Sequence, residues 1–593
     1  MTPGDEGGQR PLSAIYEEQA KNWTARRRSE LAAEIARLEG ELRGAPDRAD
    51  LYSSIAERYT QSGDSERAAA SLREGIAACP PAAGLYWQLT RALRESGRTQ
   101  QSIAVAGQAV RRAPEGRQFR LAQLLTLPVI YDTAEEMAVW RRRFARRLEA
   151  LEREVLASDS PALRTYIEGL RRFTNFYLPY QGNNDRTLQQ QYGRLVQHVM
   201  QANYPQWSSR VLDMPELAPG GRLKVGYASS HFYDHTVARL FGGWLGKCDR
   251  NRFHVHTYYS GQVEDPVSRR IRDSSESYVH IPQDFEAMCR QIWKDRLHVL
   301  IFPDIGMTPE TTMLAALRLA PVQCMSWGHP VTSGVPTVDY FLSSELMEPP
   351  GAQQHYSEQL VLLPGIGVSV EKPPIPRAIL NKPRSAWGIP GGAVVYLCCQ
   401  SLFKYQPRYD HLFAAIASRV AGATFVFLAE YPYLGELFDA RLQRAFSAKG
   451  LRSEDYCLIL PTQHRLDYWN LNLVSDVFLD SVGWSGGMSA LDAIACGLPI
   501  VTLPGKFMRG RHSYAILKQL EMTDTIASSE DEYIHIAARL GLDAAWRKSV
   551  VRRIAGNAAK LYDDRRSALA LEEFLLKAVS SRCQGSRRTE PST

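Results

Sequence analysis

The sequence lacks the features that mark secreted, membrane-spanning and zinc-binding proteins. Its nine cysteines include no CxxC pair, which indicates reduced thiols and not a disulfide framework. The opening residues, MTPGDEGGQRPLSAIYEEQ, carry acids and no apolar core, so we do not expect a secretory signal. No apolar run is long enough to cross a bilayer, and no zinc spacing such as HExxH occurs. These absences predict a cytoplasmic protein with no membrane span and no metal site.

A strong charge of one sign is also missing. The net charge of +7 is small for 593 residues and does not indicate a nucleic-acid-binding protein, although it suits an anionic nucleotide ligand. Hydrophobic and charged contents of 44% and 23% are ordinary for a globular protein. The length predicts two or more domains.

The first third of the chain is predicted to be helical. After a flexible stretch over residues 1–22, amphipathic helical patterns continue through residues 23–205. Within residues 46–115, several positions recur 34 residues later: Leu51-Tyr52 as Leu85-Tyr86, Gly63 as Gly97, and Pro80 as Pro114. This period resembles the tetratricopeptide repeat. Two interpretations stay open: a concave surface for a protein or peptide partner, or a helical spacer that only buries one face of the remaining chain.

The rest of the chain alternates strands with helices. Apolar runs at 223–228, 253–259, 298–302, 393–398, 425–428 and 457–460 predict parallel strands, and a Pro-rich linker covers 371–383. We therefore expect one lobe over 219–375, a second over 384–580, and a disordered tail over 581–593. The predicted fold is helical repeats followed by two doubly wound, Rossmann-like α/β lobes, the layout of GT-B glycosyltransferases.

One stretch, residues 480–505, predicts the ligand class. A strand, the Gly-rich turn Ser485-Gly486-Gly487, a helix over 488–495 and a second strand form one βαβ unit. Glycines allow close approach to the backbone, and the helix start presents free N–H groups to an anion. Asp492, one turn into the helix, would reach a ribose, so a nucleotide diphosphate fits. The turn is neither GxGxxG nor a P-loop, and similar turns occur without a phosphate ligand.

Five ordered motifs resemble the O-GlcNAc transferase and SPINDLY family over about residues 220–580. They are GYASSHFYDHTVARLF, LRLAPVQCMSWGHPVTSGVPTVDY, HYSEQLVLLP, CCQSLFKYQP and GGMSALDAIACGLPIVTLPGKFMRGRHSY. The resemblance implies an inverting, metal-independent transfer of N-acetylglucosamine from UDP-N-acetylglucosamine to Ser or Thr of a protein, with no cofactor beyond the donor. Fucose from GDP-fucose and N- or O-linked glucose from UDP-glucose remain alternatives.

The same resemblance implies the donor-binding residues. Lys404, with Gln400 beside it, corresponds to the diphosphate-binding lysine, which also acts in catalysis. The expected nucleotide-sugar site comprises Gln400, Lys404, Arg465, Tyr468, Gly486, Gly487, Met488, Ser489, Asp492 and Arg511. Animal members have lysine and histidine where Arg465 and Tyr468 stand, which leaves the base open. Arg509 is expected only to solvate its loop.

On the acceptor side, His235 corresponds to the family histidine near the reaction centre. It is expected either to act as the base or to orient the acceptor. The expected sugar and acceptor pocket comprises Asp304, His329, Thr332, Ser333 and Gly334. Asp304 could equally cap a helix, and His329 belongs to a GHP sequence also found in bacterial N-glucosyltransferases.

Two further hypotheses compete with protein glycosylation. The chain could be a repeat scaffold with an inactive glycosyltransferase half, but Gln400, Lys404, Asp492 and His235 favour an enzyme. The short repeat region also fits a glycosyltransferase that acts on a small molecule or a peptide natural product.

Overall fold

The computed structural model describes residues 29–208, 212–217 and 220–587. The stretch predicted to be flexible, residues 1–22, lies outside them. Across the described residues, no helix combines the length and the apolar character needed to traverse a bilayer.

The first part of the described chain is helical, and its repeated units each fold as a pair of helices. Gly63 and Gly97 both have φ of +84° between the two helices of their pair, a backbone conformation that glycine adopts without strain. Asp64 caps the second helix of its pair by accepting from the Arg67 amide. The helices are α1 (29–44), α2 (Ala49–Gln61), α3 (Ser65–Ala78), α4 (Ala83–Glu95), α5 (Thr99–Arg112), α6 (Arg120–Leu125), α7 (Ala134–Leu156), α8 (Ser160–Leu170) and α9 (Arg186–Asn203).

The first lobe contains a parallel sheet of seven strands in the order β3-β2-β1-β4-β5-β6-β7. Its interior strands are apolar and buried, as a sheet covered on both faces requires. The strands are β1 (Leu223–Ser229), β2 (Phe253–Tyr259), β3 (Ser277–His280), β4 (Val299–Phe302), β5 (Val322–Ser326), β6 (Tyr340–Ser344) and β7 (Gln359–Leu363). The helices are α10 (Thr236–Gly246), α11 (Pro266–Asp273), α12 (Phe285–Asp295) and α13 (Pro309–Ala315).

The second lobe repeats this plan with five parallel strands in the order β10-β9-β8-β11-β12. The strands are β8 (Val394–Cys398), β9 (Ala423–Ala429), β10 (Cys457–Pro461), β11 (Val477–Leu479) and β12 (Ile500–Val501). The helices are α14 (His411–Ala417), α15 (Pro432–Ser447), α16 (Arg465–Val474), α17 (Met488–Cys496), α18 (His512–Gln519), α19 (Glu530–Leu542), α20 (Ala544–Asn557) and α21 (Arg566–Arg587). In each sheet the order reverses between the first and fourth strands, and such a switch point opens a crevice at the carboxyl ends.

Two sequence predictions differ from the structure. The tail predicted from residue 581 is helical through Arg587, because it continues α21, which packs against β5 and β7 of the first lobe. Phe574 of this helix also meets Tyr340 of β6 edge-on. Residues 174–181 were expected to form a helix, but they form turns and a short 3₁₀ segment, Pro179–Gln181. Their aromatic rings pack between the lobes and hold the backbone in this irregular path.

Candidate active site

In the first lobe, the carboxyl ends of β1 and β4 bring a histidine and a carboxylate together. Asp304 is fully buried, and its Oδ2 accepts from the Ser229 hydroxyl at 2.7 Å. The same oxygen lies 2.6 Å from Nδ1 of His231. A carboxylate removed from water needs such hydrogen-bond partners, so Ser229 and His231 stabilise the buried Asp304 at the switch point.

His235 lies four residues after His231 and caps the N-terminus of α10. Its Nδ1 accepts from the Val237 amide at 3.2 Å, and its ring stacks on His231 with centroids 4.3 Å apart. Burial, followed by the neighbouring His231, lowers the pKa of His235 to about 4. His235 is therefore a neutral imidazole at physiological pH.

In the second lobe, the turn after β11 is shaped by Asp480. This buried carboxylate accepts from the Gly486 amide and from the hydroxyls of Ser485 and Thr502, each at 2.7 Å. Burial raises its pKa to about 6, against the lowering effect of these hydrogen bonds. A Cβ on Gly486 would stand 2.6 Å from Ser489 Oγ, so any larger residue there would force the Ser489 side chain to shift.

Lys404 and Gln400 follow β8 and face the same turn. The Gln400 Nε2 is buried, has no hydrogen-bond partner, and lies 3.1 Å from where a Cβ on Gly486 would stand. Burial lowers the pKa of Lys404, while Cys399, Asp480 and Glu430 act in the opposite direction. Within the described ranges, no carboxylate forms an ion pair with Lys404.

His512 lies beside the start of α17 and close enough to Lys404 to feel its charge. Its Nδ1 lies 3.7 Å from the position of a Cβ on Gly487 and 3.3 Å from the Ser485 carbonyl. The pKa of His512 falls to about 4, chiefly through burial and also through Lys404. The helix begins at Met488 with no side-chain cap, which leaves its first N–H groups to a ligand.

Asp492 already has a partner from the other lobe. Its Oδ1 lies 2.6 Å from Nη2 of Arg239 on α10, and its Oδ2 lies 3.2 Å from Nη1. The Trp469 indole donates to the same carboxylate at 3.4 Å. The expected ribose-binding residue therefore also bridges the two lobes.

A second ion pair crosses the cleft nearby. Arg465, at the start of α16, pairs with Asp234, and both line an interlobe cavity of about 770 Å³. Tyr468, one turn further, is half-buried, with its hydroxyl 3.5 Å from Cys399 Sγ. Both expected base-binding residues thus lie near the cleft, but Arg465 is engaged across it.

His329 belongs to an aromatic wall that includes the irregular segment at 174–181. Its ring stacks on Phe176 at 5.1 Å, and Tyr180 stacks on Trp484 at 3.8 Å. Burial, with a smaller effect from Arg509, lowers the pKa of His329 to about 3. Phe403, next to Lys404, meets Tyr180 edge-on at 4.6 Å, so this wall reaches the side of the cleft where the diphosphate is expected.

The loop at residues 332–334 is tied to its surroundings. The hydroxyls of Thr332 and Ser333 both donate to the buried Glu358. Gly334 has φ of +70°, and its carbonyl lies 2.2 Å from where a Cβ on Gly193 of α9 would stand. These hydroxyls are therefore occupied, and the loop is packed against the helical region.

The two arginines of FMRGRHSY have different positions. Arg511 donates to the Met347 carbonyl at 2.9 Å, which joins the lobes. Arg509 was expected to be a solvated neighbour, and that expectation is wrong: it is only 3% exposed and pairs with Asp185 at 3.2 Å. Asp185 comes from the helical region, which covers this part of the cleft.

A family model for glycosyl transferase family 41 matches residues 201–367 and 368–569. The chain belongs to glycosyl transferase family 41.

Two curated relatives are similar to this family 41 chain. The "Probable UDP-N-acetylglucosamine--peptide N-acetylglucosaminyltransferase SEC" of Arabidopsis thaliana is 25% identical over 63% of this chain and 39% of its own length. The "Probable UDP-N-acetylglucosamine--peptide N-acetylglucosaminyltransferase SPINDLY" of Solanum lycopersicum is 25% identical over 57% of this chain and 36% of its own length. The chain thus spans less than half the length of these curated relatives. The predicted resemblance to this family is confirmed.

A solved structure supports the fold. A mutant O-GlcNAc transferase from Thermobaculum terrenum superposes with a TM-score of 0.67 at 20% identity, over 98% of this chain and 100% of that chain. The predicted fold class, helical repeats followed by two parallel-sheet lobes, is confirmed.

Several residues that shape the site of this family 41 chain were missed by sequence reasoning. They are His231, Arg239, Asp480, Tyr180 and Trp484. His231 and Asp480 follow predicted strands, so their positions carried a usable signal. The role of Arg239 depends on a partner 253 residues away, and no local pattern indicates such a contact.

Proposed function

We propose that this family 41 chain is a protein O-glycosyltransferase that transfers N-acetylglucosamine from UDP-N-acetylglucosamine to Ser or Thr. The observation that carries the proposal is a buried group at one switch point, formed by Lys404, Gln400 and the uncapped start of α17 and here called the cradle, together with an imidazole–carboxylate group at the other switch point. The donor and the acceptor class follow the SEC and SPINDLY relatives, which are named as probable peptide N-acetylglucosaminyltransferases that use UDP-N-acetylglucosamine.

The cradle suits a departing diphosphate. Lys404 lacks a carboxylate partner among the described residues, Gln400 Nε2 is an unused buried donor, and α17 presents its first amides. An anion bound there would supply the negative charge that the buried ammonium lacks. We propose that these groups neutralise the leaving group and that the transfer needs no metal ion.

In the proposed reaction, the acceptor hydroxyl attacks the anomeric carbon from the side opposite the diphosphate, which inverts that carbon. The lobes act by holding donor and acceptor in line. His235 and the neighbouring His231 would face the acceptor oxygen. Asp492 would bind the ribose beside Arg239.

The repeats are proposed to hold the acceptor polypeptide close to the second lobe. Gly97 approaches Leu434 of α15 so closely that a Cβ would stand 2.6 Å from its Cδ2. Arg98 lies over the Tyr433 ring at 5.4 Å. A polypeptide bound along these helices would therefore stay beside the lobe that binds the donor.

The test is a donor panel with purified protein. UDP-N-acetylglucosamine, UDP-glucose and GDP-fucose are compared by the rise in melting temperature and, after incubation with host lysate proteins, by the mass added. We expect UDP-N-acetylglucosamine to raise the melting temperature and to add one N-acetylhexosamine. An added hexose would identify UDP-glucose as the donor instead, and an added deoxyhexose would identify GDP-fucose. If no donor binds or is turned over, the chain is a scaffold and the proposal fails.

Lys404→Ala tests whether this lysine binds the diphosphate of the nucleotide. Loss of a charge-assisted contact worth about 1.5–3 kcal/mol should weaken nucleotide binding about 10- to 100-fold. Lys449→Ala, on an exposed lysine of the same lobe, is the control and should bind like the wild type. Isothermal titration with UDP measures both. Equal affinity of Lys404→Ala and Lys449→Ala would contradict the cradle.

A further inference from the structure

The pair His231 and Asp304 has the geometry of a proton-transfer group. Asp304 is buried behind the histidine, and the Ser229 hydroxyl that donates to it also accepts the His231 backbone amide at 2.9 Å. Both the backbone and the ring of His231 are thus held by one cluster. The His231 side chain keeps 14% exposure whereas that of Asp304 has none, so the ring is the member that a substrate can reach.

The hydrogen bonds assign different tautomers to the two stacked histidines. An ionised carboxylate only accepts, so Nδ1 of His231 carries the proton and its Nε2 keeps a lone pair. Nδ1 of His235 accepts from an amide, so the proton of this neutral ring lies on Nε2. His231 can therefore receive a proton at Nε2, whereas His235 can only donate there.

We propose that His231, positioned by Asp304, is the general base of the transfer, and that His235 donates a hydrogen bond beside it. This inference rests on the proposed function. As the acceptor oxygen bonds to the anomeric carbon, the bond from that carbon to the phosphate oxygen breaks, and its electron pair leaves with the nucleoside diphosphate. The acceptor proton moves to Nε2 of His231 and is then lost to water, which restores the enzyme.

The surroundings place this base opposite the donor lobe. Asp234, between the two histidines, pairs with Arg465, and Arg239, one turn beyond His235, pairs with Asp492. Two ion pairs thus hold the His231–His235 segment against the elements expected to bind the nucleotide.

The main test compares His231→Asn with His411→Asn. An asparagine amide can replace the Nδ1 donor to Asp304 but cannot accept the proton. His411 is also paired with a carboxylate, Glu530, but is exposed on the second lobe, so it is a matched control. We expect His231→Asn to bind UDP like the wild type and to lose about 10²- to 10⁴-fold in kcat, measured as release of UDP from the donor that the panel identifies. His411→Asn should keep wild-type kcat.

Chemical rescue separates proton transfer from a structural role. Added imidazole should restore turnover to His231→Ala but not to Lys404→Ala. Asp304→Asn tests the positioning residue: it should lower kcat with little change in the donor KM, and imidazole should not rescue it.

Three outcomes would overturn the assignment while leaving the proposed function intact. They are a kcat of His231→Asn near the wild-type value, loss of UDP binding in that variant, or absence of imidazole rescue in His231→Ala. If the wild-type protein turns over no donor, the proposed function itself fails and this inference fails with it.

Discussion

Asp492 lies where a ribose is expected, yet its carboxylate already binds a guanidinium from the other lobe. It is 4% exposed, and Arg239 engages both of its oxygens. A carboxylate offers about four lone-pair sites, so a ribose hydroxyl can share it with Arg239. The Asp492 carboxylate would then serve two purposes: it would hold the lobes together through Arg239, and it would orient the donor through the ribose.

Removing either member should reveal this coupling. Arg239→Ala or Asp492→Ala leaves a buried charge unpaired, which should destabilise the protein by about 3–5 kcal/mol. The double variant should lose less than the sum, since neither charge is then left alone. Urea titration measures all three.

Arg91→Ala breaks an exposed pair with Glu95 and is the control, with an expected change below about 0.5 kcal/mol. Strictly additive effects of Arg239→Ala and Asp492→Ala would show that the two side chains are not coupled.

At the scale of elements, the turn that leads into α17 depends on the absence of one methyl group. Gly486→Ala would place a Cβ 2.6 Å from Ser489 Oγ and 3.1 Å from Gln400 Nε2, so these two side chains must shift. We expect UDP affinity to fall at least about tenfold, equivalent to about 1.4 kcal/mol, because the new methyl group displaces Gln400 Nε2, a donor proposed to contact the diphosphate.

Gly391→Ala is the control for this prediction, since a Cβ there meets nothing within 4 Å. Both variants should keep the circular dichroism spectrum of the wild type. Unchanged UDP affinity of Gly486→Ala in calorimetry would contradict a phosphate role for the turn.

The elements that the sequence predicted well are those with a continuous local signal. β2 has the predicted bounds, and α17 ends one residue beyond the prediction, where Gly497 adopts φ of +80°. The strands that were not predicted include β3, β6 and β7. Of these, β3 and β7 are edge strands that are half-buried or exposed, and β3 lacks an uninterrupted apolar run. Residues 174–181 were mistaken for a helix, since their rings are placed by contacts with both lobes.

The same limit applies to the site. The family resemblance indicated Gln400 and Lys404 after β8, and the Gly-rich turn after β11 was indicated by its own residues. Neither indicated the side chains from elsewhere that contact the site. Arg239 of the first lobe and Asp185 of the helical region come from distant parts of the sequence, and only the folded chain brings them to Asp492 and Arg509.

At the scale of the whole molecule, the helical region and the two lobes meet around Asp185. Its fully buried carboxylate pairs with Arg141 of α7 and with Arg509 of the second lobe. Burial raises the pKa of Asp185, and the two arginines act against that rise. The helical region is therefore an integral wall of the cleft, and not a separable adaptor.

Asp185→Asn should weaken this junction. The substitution leaves Arg509 buried without a counterion, so we expect a loss of about 3–5 kcal/mol and a lower melting temperature. Glu149→Gln changes an exposed pair with Arg153 on α7 and should have almost no effect. Differential scanning calorimetry compares them, and equal melting temperatures would contradict the role given to Asp185.

Helix α21 lies against β5 and β7 of the first lobe although it follows the whole second lobe in the chain. The ribosome makes the chain from its N-terminus, so the part of the first sheet that α21 covers stays exposed while about two hundred more residues are synthesised. Maturation of the first lobe is thus tied to completion of the second, and a nascent chain that stalls between them would expose apolar strand surface to chaperones.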